Sequence, residues 1–227
     1  MRPNEMTSAL GVHPNEMTSD FEVNKNTLLA DIGNTHFHVY NGKEVEHLSY
    51  EDAIKKYATS KIFYISVKSQ LDTRVEEIES WVNVSSLVKV EGEYDTLGTD
   101  RKALCLSRKN GLFVDAGSAI TVDVVEQGVY KGGYIYPGLQ AMLKSYADIS
   151  PALDVELNKN ICLDSLALTT KEQISYGIIA SIKALIDKHR QSKNLYFTGG
   201  DGALLSKYFE GSVYDETLVF QGMLKVL

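Results

Sequence analysis

Asp31-Ile-Gly33-Asn34-Thr35 and Asp115-Ala-Gly117-Ser118-Ala119 are two copies of one turn. Each closes a short apolar run and opens another that leads to a hairpin. The first copy follows Thr27-Leu-Leu-Ala and precedes Phe37-His38-Val39-Tyr40, which runs into Asn41-Gly42, a strong hairpin signal. The second follows Leu112-Phe113-Val114 and precedes an alternating run from Ile120 to Val125, with a turn at Gln127-Gly128 before Val129-Tyr130. A glycine in such a bend lets the backbone turn tightly and leaves N–H groups outward, where phosphate oxygens can meet them. A carboxylate beside that anion site would repel it, so Asp31 and Asp115 are expected to face a cation, its waters, or a hydroxyl proton. One Asp-Gly turn would be an ordinary hairpin element; two in matched surroundings favour a function.

Outward from these turns, strands alternate with helices. The pattern predicts helices over Tyr50 to Ala58, Gln70 to Val82, Ala103 to Arg108, about 139 to 147 and about 170 to 189, with strands at Lys61 to Val67, Leu87 to Val90 and Leu195 to Phe197. In the longest helix Ile174, Ile178, Ile179, Ile182, Leu185 and Ile186 fall on one stripe, and Thr169 with Glu172 reads as a capping box. The fold class is α/β, with an N-terminal half over 27–112 and a C-terminal half over 113–227. Residues 1–26 read as a polar tail, disordered or artificial in origin, because Pro-Asn-Glu-Met-Thr-Ser at 3–8 recurs at 14–19 without apolar surface to offset ordering.

Composition narrows the function. The 227 residues are 44% apolar and 23% charged, which suits a globular chain, and a net charge of −7 argues against nucleic acid or an anionic membrane as partner. The longest charge-free apolar run lies between Lys131 and Lys144, shorter than the ~20 residues that span a bilayer. With Cys105 and Cys162 in no metal or redox spacing and no secretory signal, a cytoplasmic protein is expected. His36 and His38 alternate on a strand but lack a third ligand nearby in sequence, so a metal site is not expected there, and His47 joins no constellation.

Neither a P-loop nor a Gly-x-Gly-x-x-Gly opens any helix. Two α/β halves, each with a phosphate-facing hairpin turn, resemble instead the superfamily of acetate and sugar kinases, heat-shock ATPase and actin. That resemblance implies ribonuclease-H-like halves with ATP in the cleft between them. Gly98-x-Asp100-Arg101, taken with Asp31 to Thr35, Val114 to Ala119, Gly132-Gly-x-Ile-x-Pro-Gly138 and Gly199-Gly200 in this order, resembles the type III pantothenate kinases over about residues 27–224. Such an enzyme transfers the ATP γ-phosphoryl group to pantothenate, in the first step of coenzyme A synthesis.

The resemblance implies a set of site residues. Asp31, Ile32, Gly33, Asn34, Thr35 and His36 would hold ATP phosphates, with Asp31 orienting magnesium through water. Ser118, where the family more often has Thr, would serve the second phosphate loop, and Gly199 and Gly200 the adenosine. Asp115 would bind a monovalent cation, potassium or ammonium. Tyr94, Gly98, Thr99, Asp100, Arg101 and Thr170 would contact pantothenate, with Thr169 the competitor for the last position. Asp100 is the expected base, against its reading as a helix N-terminal residue, and Arg101 carries a planar fork suited to a carboxylate, against a surface ion pair. A homodimer is also implied.

Overall fold

A computed structural model describes residues 27–33, 36–67 and 73–227. The expectations for the tail, for Asn34 and Thr35, and for the start of the Gln70 helix lie outside the described residues. The chain runs through β1 (Leu28–Ile32), β2 (Phe37–Tyr40), β3 (Val45–Leu48), α1 (Tyr50–Tyr57), β4 (Ile62–Ser66), α2 (Thr73–Glu76), β5 (Trp81–Asn83) and α3 (Thr99–Leu106). It continues through β6 (Gly111–Ala116), β7 (Ala119–Glu126), β8 (Val129–Pro137), α4 (Leu139–Ile149), α5 (Thr170–Arg190), β9 (Leu195–Thr198), α6 (Gly202–Ser206), β10 (Val213–Tyr214) and α7 (Leu218–Met223).

The strands form two five-stranded sheets, β3-β2-β1-β4-β5 and β8-β7-β6-β9-β10, which are one topology used twice. In each, three strands meander antiparallel and two more add in parallel on the other side of the first. The duplicated turn of the sequence is thus the hairpin end of a duplicated sheet. The Asn41-Gly42 hairpin forms as its sequence demands, with Gly42 at φ 89 and the Asn41 side chain accepting from the N–H groups of Lys43 and Glu44.

Alternation along the strands decides what faces what. Leu29 enters a core shared by both sheets, whereas Ala30 and Ile32 face a core under the first sheet alone. Phe113 enters the shared core, and Leu112, Val114 and Ala116 face the second sheet's own core. Asp31 shares the face of Leu29 and Asp115 that of Phe113, so both carboxylates point toward the space between the sheets. Helices α3 and α7 fill that space, contributing Ala103, Leu104, Leu218, Phe220 and Met223 to the shared core. They approach so closely that a side chain at Gly222 would run into the Ala103 carbonyl.

One predicted element differs. From Thr73 onward the helix expected to reach Val82 stops at Glu76, and Trp81–Asn83 is a strand pairing in parallel with β4. Tertiary context overrides local propensity here: Trp81 is buried, and its indole N–H donates to the Tyr57 carbonyl at 3.1 Å. Leu87 to Val90 is likewise not a strand; Ser85–Leu87 is a 3-10 turn, and Val88 and Val90 pack into the shared core. The long helix spans Thr170–Arg190 with Thr169 as its N-cap, accepting from the Glu172 N–H, and buries all of its predicted stripe except Leu185.

Candidate active site

The two hairpin turns are anchored differently but spend their glycine N–H in the same way. Gly33 N–H donates to His36 O at 3.1 Å and Gly117 N–H to Ala119 O at 2.9 Å. The glycine closes each bend, so neither donor is left for a ligand. Tyr50, which meets Phe37 edge-on, donates its hydroxyl to Gly33 O at 2.8 Å and pins the first turn. The second turn is held by Gly138, whose N–H donates to Ser118 O at 3.0 Å.

Both turns open on a cavity of about 570 Å³, a size ordinary for small-molecule sites. Of the residues expected to act, Asp31, Gly33, His36, Asp100, Asp115, Ser118, Gly199 and Gly200 line it together. Ile32 does not; its side chain is fully buried under the first sheet. Tyr94, Gly98, Thr99, Arg101 and Thr170 are not among the lining residues. Thr169 uses its hydroxyl in the α5 cap, leaving Thr170 as the exposed first residue of that helix.

Three acids face one another at the cavity. Asp31 is raised well above the usual carboxylate range by burial first, then by the charges of Asp100 and Asp115. Asp115 is pushed up to about 7, again by burial first and then by Asp100 and Asp123. Burial also raises Asp100, although its Oδ1 accepts the Arg101 N–H at 2.7 Å and the Arg101 charge opposes the shift. Asp100 sits in the first turn of α3, as its helix-terminus reading requires, and lines the cavity as well. Asp31 Oδ1 and the Thr121 hydroxyl are buried without a hydrogen-bond partner among the described residues. Like-charged, desolvated and under-satisfied oxygens of this kind accept a cation readily. No group of three His, Cys, Asp or Glu side chains among the described residues forms a protein-only metal cage.

Gly199 shows how closely this cluster is packed. Its φ is +83, and a Cβ there would strike Asp115 Oδ1 and come within 2.6 Å of Ala116 O. Gly199→Ala is expected to destabilise the protein by roughly 1–3 kcal/mol and to lower its activity at least about tenfold, measured by thermal unfolding and initial rates.

Sequence reading missed three contributors. Thr121 lies opposite Asp115 in the β6–β7 ladder and lines the same cavity. His47 stands across from His38, with their Nδ1 atoms 2.7 Å apart, and both line the cavity beside His36. The hairpin register was the signal for that pair. Burial lowers His38 to about 4, with His47 and His36 adding to the effect. Asp123 is fully buried and holds Arg101, so Arg101 makes a buried ion pair rather than a surface one.

Twin sheets of this topology with acids converging between them define the actin-like ATPase and sugar kinase class of folds. The structure matches an activator of the 2-hydroxyisocaproyl-CoA dehydratase from Clostridium difficile with a TM-score of 0.50 at 11% identity, covering 86% of this chain and 91% of that one. It also matches a protein from Sinorhizobium meliloti provisionally assigned as a 2-dehydro-3-deoxygalactonokinase, with a TM-score of 0.53 at 10% identity, covering 88% and 97%. At these identities the likeness concerns the fold.

Sequence comparison is more particular. The family model for type III pantothenate kinase matches residues 81–191. A type III pantothenate kinase of Helicobacter hepaticus is 42% identical, covering 88% of this chain and 98% of its own. One from Campylobacter jejuni strain RM1221 is 38% identical, covering 88% and 96%. A Campylobacter jejuni crystal structure, provisionally assigned to the Baf family of transcriptional activators, has a TM-score of 0.79 at 36% identity, covering 88% and 96%. The chain belongs to the type III pantothenate kinase family.

Proposed function

We propose that the protein transfers the γ-phosphoryl group of ATP to the primary hydroxyl of pantothenate, giving 4′-phosphopantothenate for coenzyme A synthesis. The observation that carries this reading is the meeting of Asp31, Asp100 and Asp115 at one cavity between the twin sheets in a chain of this family. Phosphoryl transfer asks a protein mainly to position two reactants and to balance charge.

Each residue then has a task. Asp100 accepts the proton of the acceptor hydroxyl; burial raises its basicity toward what that step needs. The turns at Gly33 and at Gly117-Ser118 line the phosphate side of the cavity, with His36 beside them, and Gly199-Gly200 lets the nucleoside approach the backbone. Asp31, whose Oδ1 has no hydrogen-bond partner among the described residues, fits the waters of a magnesium ion, and Asp115 fits a potassium or ammonium ion. When bound, such ions supply the positive charge that offsets the phosphates and the crowded carboxylates. Arg101 and Tyr94, joined by a 3.0 Å hydrogen bond, receive the acceptor's carboxylate behind Asp100.

The test is ADP release measured with and without pantothenate, across a panel of small hydroxylated acids, with potassium replaced by sodium. Release that depends on pantothenate and falls in sodium is the expected result. Preference for another acid would make the protein a different kinase of the class, and nucleotide binding without turnover would make it a non-catalytic ATP-binding regulator.

A further inference from the structure

Asp123 has no part in the phosphoryl chemistry above, yet it is a fully buried charge on β7. An alternating strand with Ile120 and Val122 facing one core turns Thr121, Asp123 and Val125 the other way, toward α3. There the carboxylate meets the Arg101 guanidinium edge-on. Nε donates to Oδ2 at 2.9 Å and Nη2 to Oδ1 at 2.5 Å. Nη2 also donates to the Tyr130 hydroxyl at 3.3 Å, and Nη1 to the Tyr94 hydroxyl at 3.0 Å. A guanidinium has five N–H groups in one plane. These contacts commit the Nε–Nη2 edge to the protein and turn the Nη1 side toward Tyr94, which is 44% exposed.

Space around the pair is closed as firmly as its bonding. A Cβ at Gly133, opposite Asp123 in the β7–β8 ladder, would collide with Asp123 Oδ1 and come within 2.9 Å of Arg101 Nη2. Taking two charges out of water costs several kcal/mol each, and replacing a buried pair by apolar residues is often neutral or stabilising. Stability is therefore a weak reason for such a pair; fixed orientation is a better one. An arginine meant to accept an incoming carboxylate through both fork nitrogens would not have that edge filled already.

The geometry points to Asp123 as a positioning residue that sets the affinity for the acceptor: it locks Arg101 so that an incoming carboxylate meets one Nη1 N–H together with the Tyr94 hydroxyl. This rests on the reading of Arg101 and Tyr94 as the acceptor's carboxylate contacts. Recognition of a carboxylate by one guanidinium N–H and one phenol, with no bidentate arginine clamp, follows from it.

A double-mutant cycle with pantothenate as the varied substrate tests the assignment. Asp123→Asn is expected to raise the KM for pantothenate at least about tenfold, with a smaller change in kcat and the KM for ATP within about twofold. Arg101→Lys is expected to raise the same KM, and the double variant to be no worse than Arg101→Lys alone, because Asp123 acts through Arg101. A wild-type KM in Asp123→Asn, or penalties that simply add, would overturn the inference. Arg101→Lys with an unchanged KM would instead remove the reading of Arg101 on which it rests. Should Asp123→Asn fail to fold by circular dichroism, Tyr130→Phe deletes one partner of the same guanidinium; a rise in the pantothenate KM alone supports the inference, and an unchanged KM overturns it.

Discussion

Asp100→Asn is expected to lower turnover by about 10²- to 10⁴-fold, the usual contribution of a positioned general base, while nucleotide affinity stays within about twofold. Asparagine keeps the shape at the start of α3 and its Oδ1 can still accept the Arg101 N–H, so the main loss is proton acceptance, together with the charge that Asp100 sets against Asp31 and Asp115. If Asp100 served only the helix terminus, the same substitution would cost roughly 0.3–1 kcal/mol of stability and leave the rate intact. Steady-state rates set beside a nucleotide titration separate the two. A wild-type rate would end the assignment of Asp100 as the base.

Asp115→Asn has the second large effect, and it divides activity from stability. Burial and the neighbouring Asp100 and Asp123 push the Asp115 carboxyl up to about 7. A carboxyl raised on folding binds its proton more tightly in the native state, so its contribution is neutral below the ordinary carboxylate range and turns unfavourable as pH climbs toward about 7. Above that pH the cost levels off at about 4 kcal/mol as an upper bound, since each pKa unit corresponds to about 1.4 kcal/mol. In the absence of nucleotide and potassium, Asp115→Asn is therefore expected to melt higher than the parent near pH 8 and no higher near pH 4. It should also lose activation by potassium. A lower melting temperature at pH 8, or intact activation, would contradict the role of this carboxylate.

Much of the fold was legible because its signals are local. The Asn41-Gly42 hairpin, the N-cap at Thr169 and the stripe along α5 each rest on residues a few positions apart; the hairpin and the cap formed, and the stripe is buried except at Leu185. The duplicated Asp-x-Gly bend also announced the duplicated sheet, since strand alternation places Asp31 and Asp115 on corresponding faces. What failed depended on distant partners. The stretch from Thr73 to Val82 keeps its helix only to Glu76 and ends in a strand because β4 offers Trp81 and Val82 a parallel edge, and no local propensity carries that information. The site divides similarly. Asp31, Asp100 and Asp115 stand out by their motifs, whereas Asp123 reads as one polar position in an alternating strand until Arg101, from the other half of the chain, is brought against it. His47 became a neighbour of His38 only once the hairpin register was known.

Helix α7 carries a consequence for biogenesis. Its Leu218, Phe220 and Met223 complete the same apolar cluster that holds Leu29 of β1 and Phe63 of β4, strands made among the earliest of those described. As the nascent polypeptide leaves the ribosome, that face of the first sheet can first meet Val88, Val90, Ala103 and Leu104, and its apolar cluster is completed only when α7 follows. The cluster between the sheets is therefore expected to stay open to proteolysis until α7 joins it, while the separate cores under each sheet need nothing from that helix.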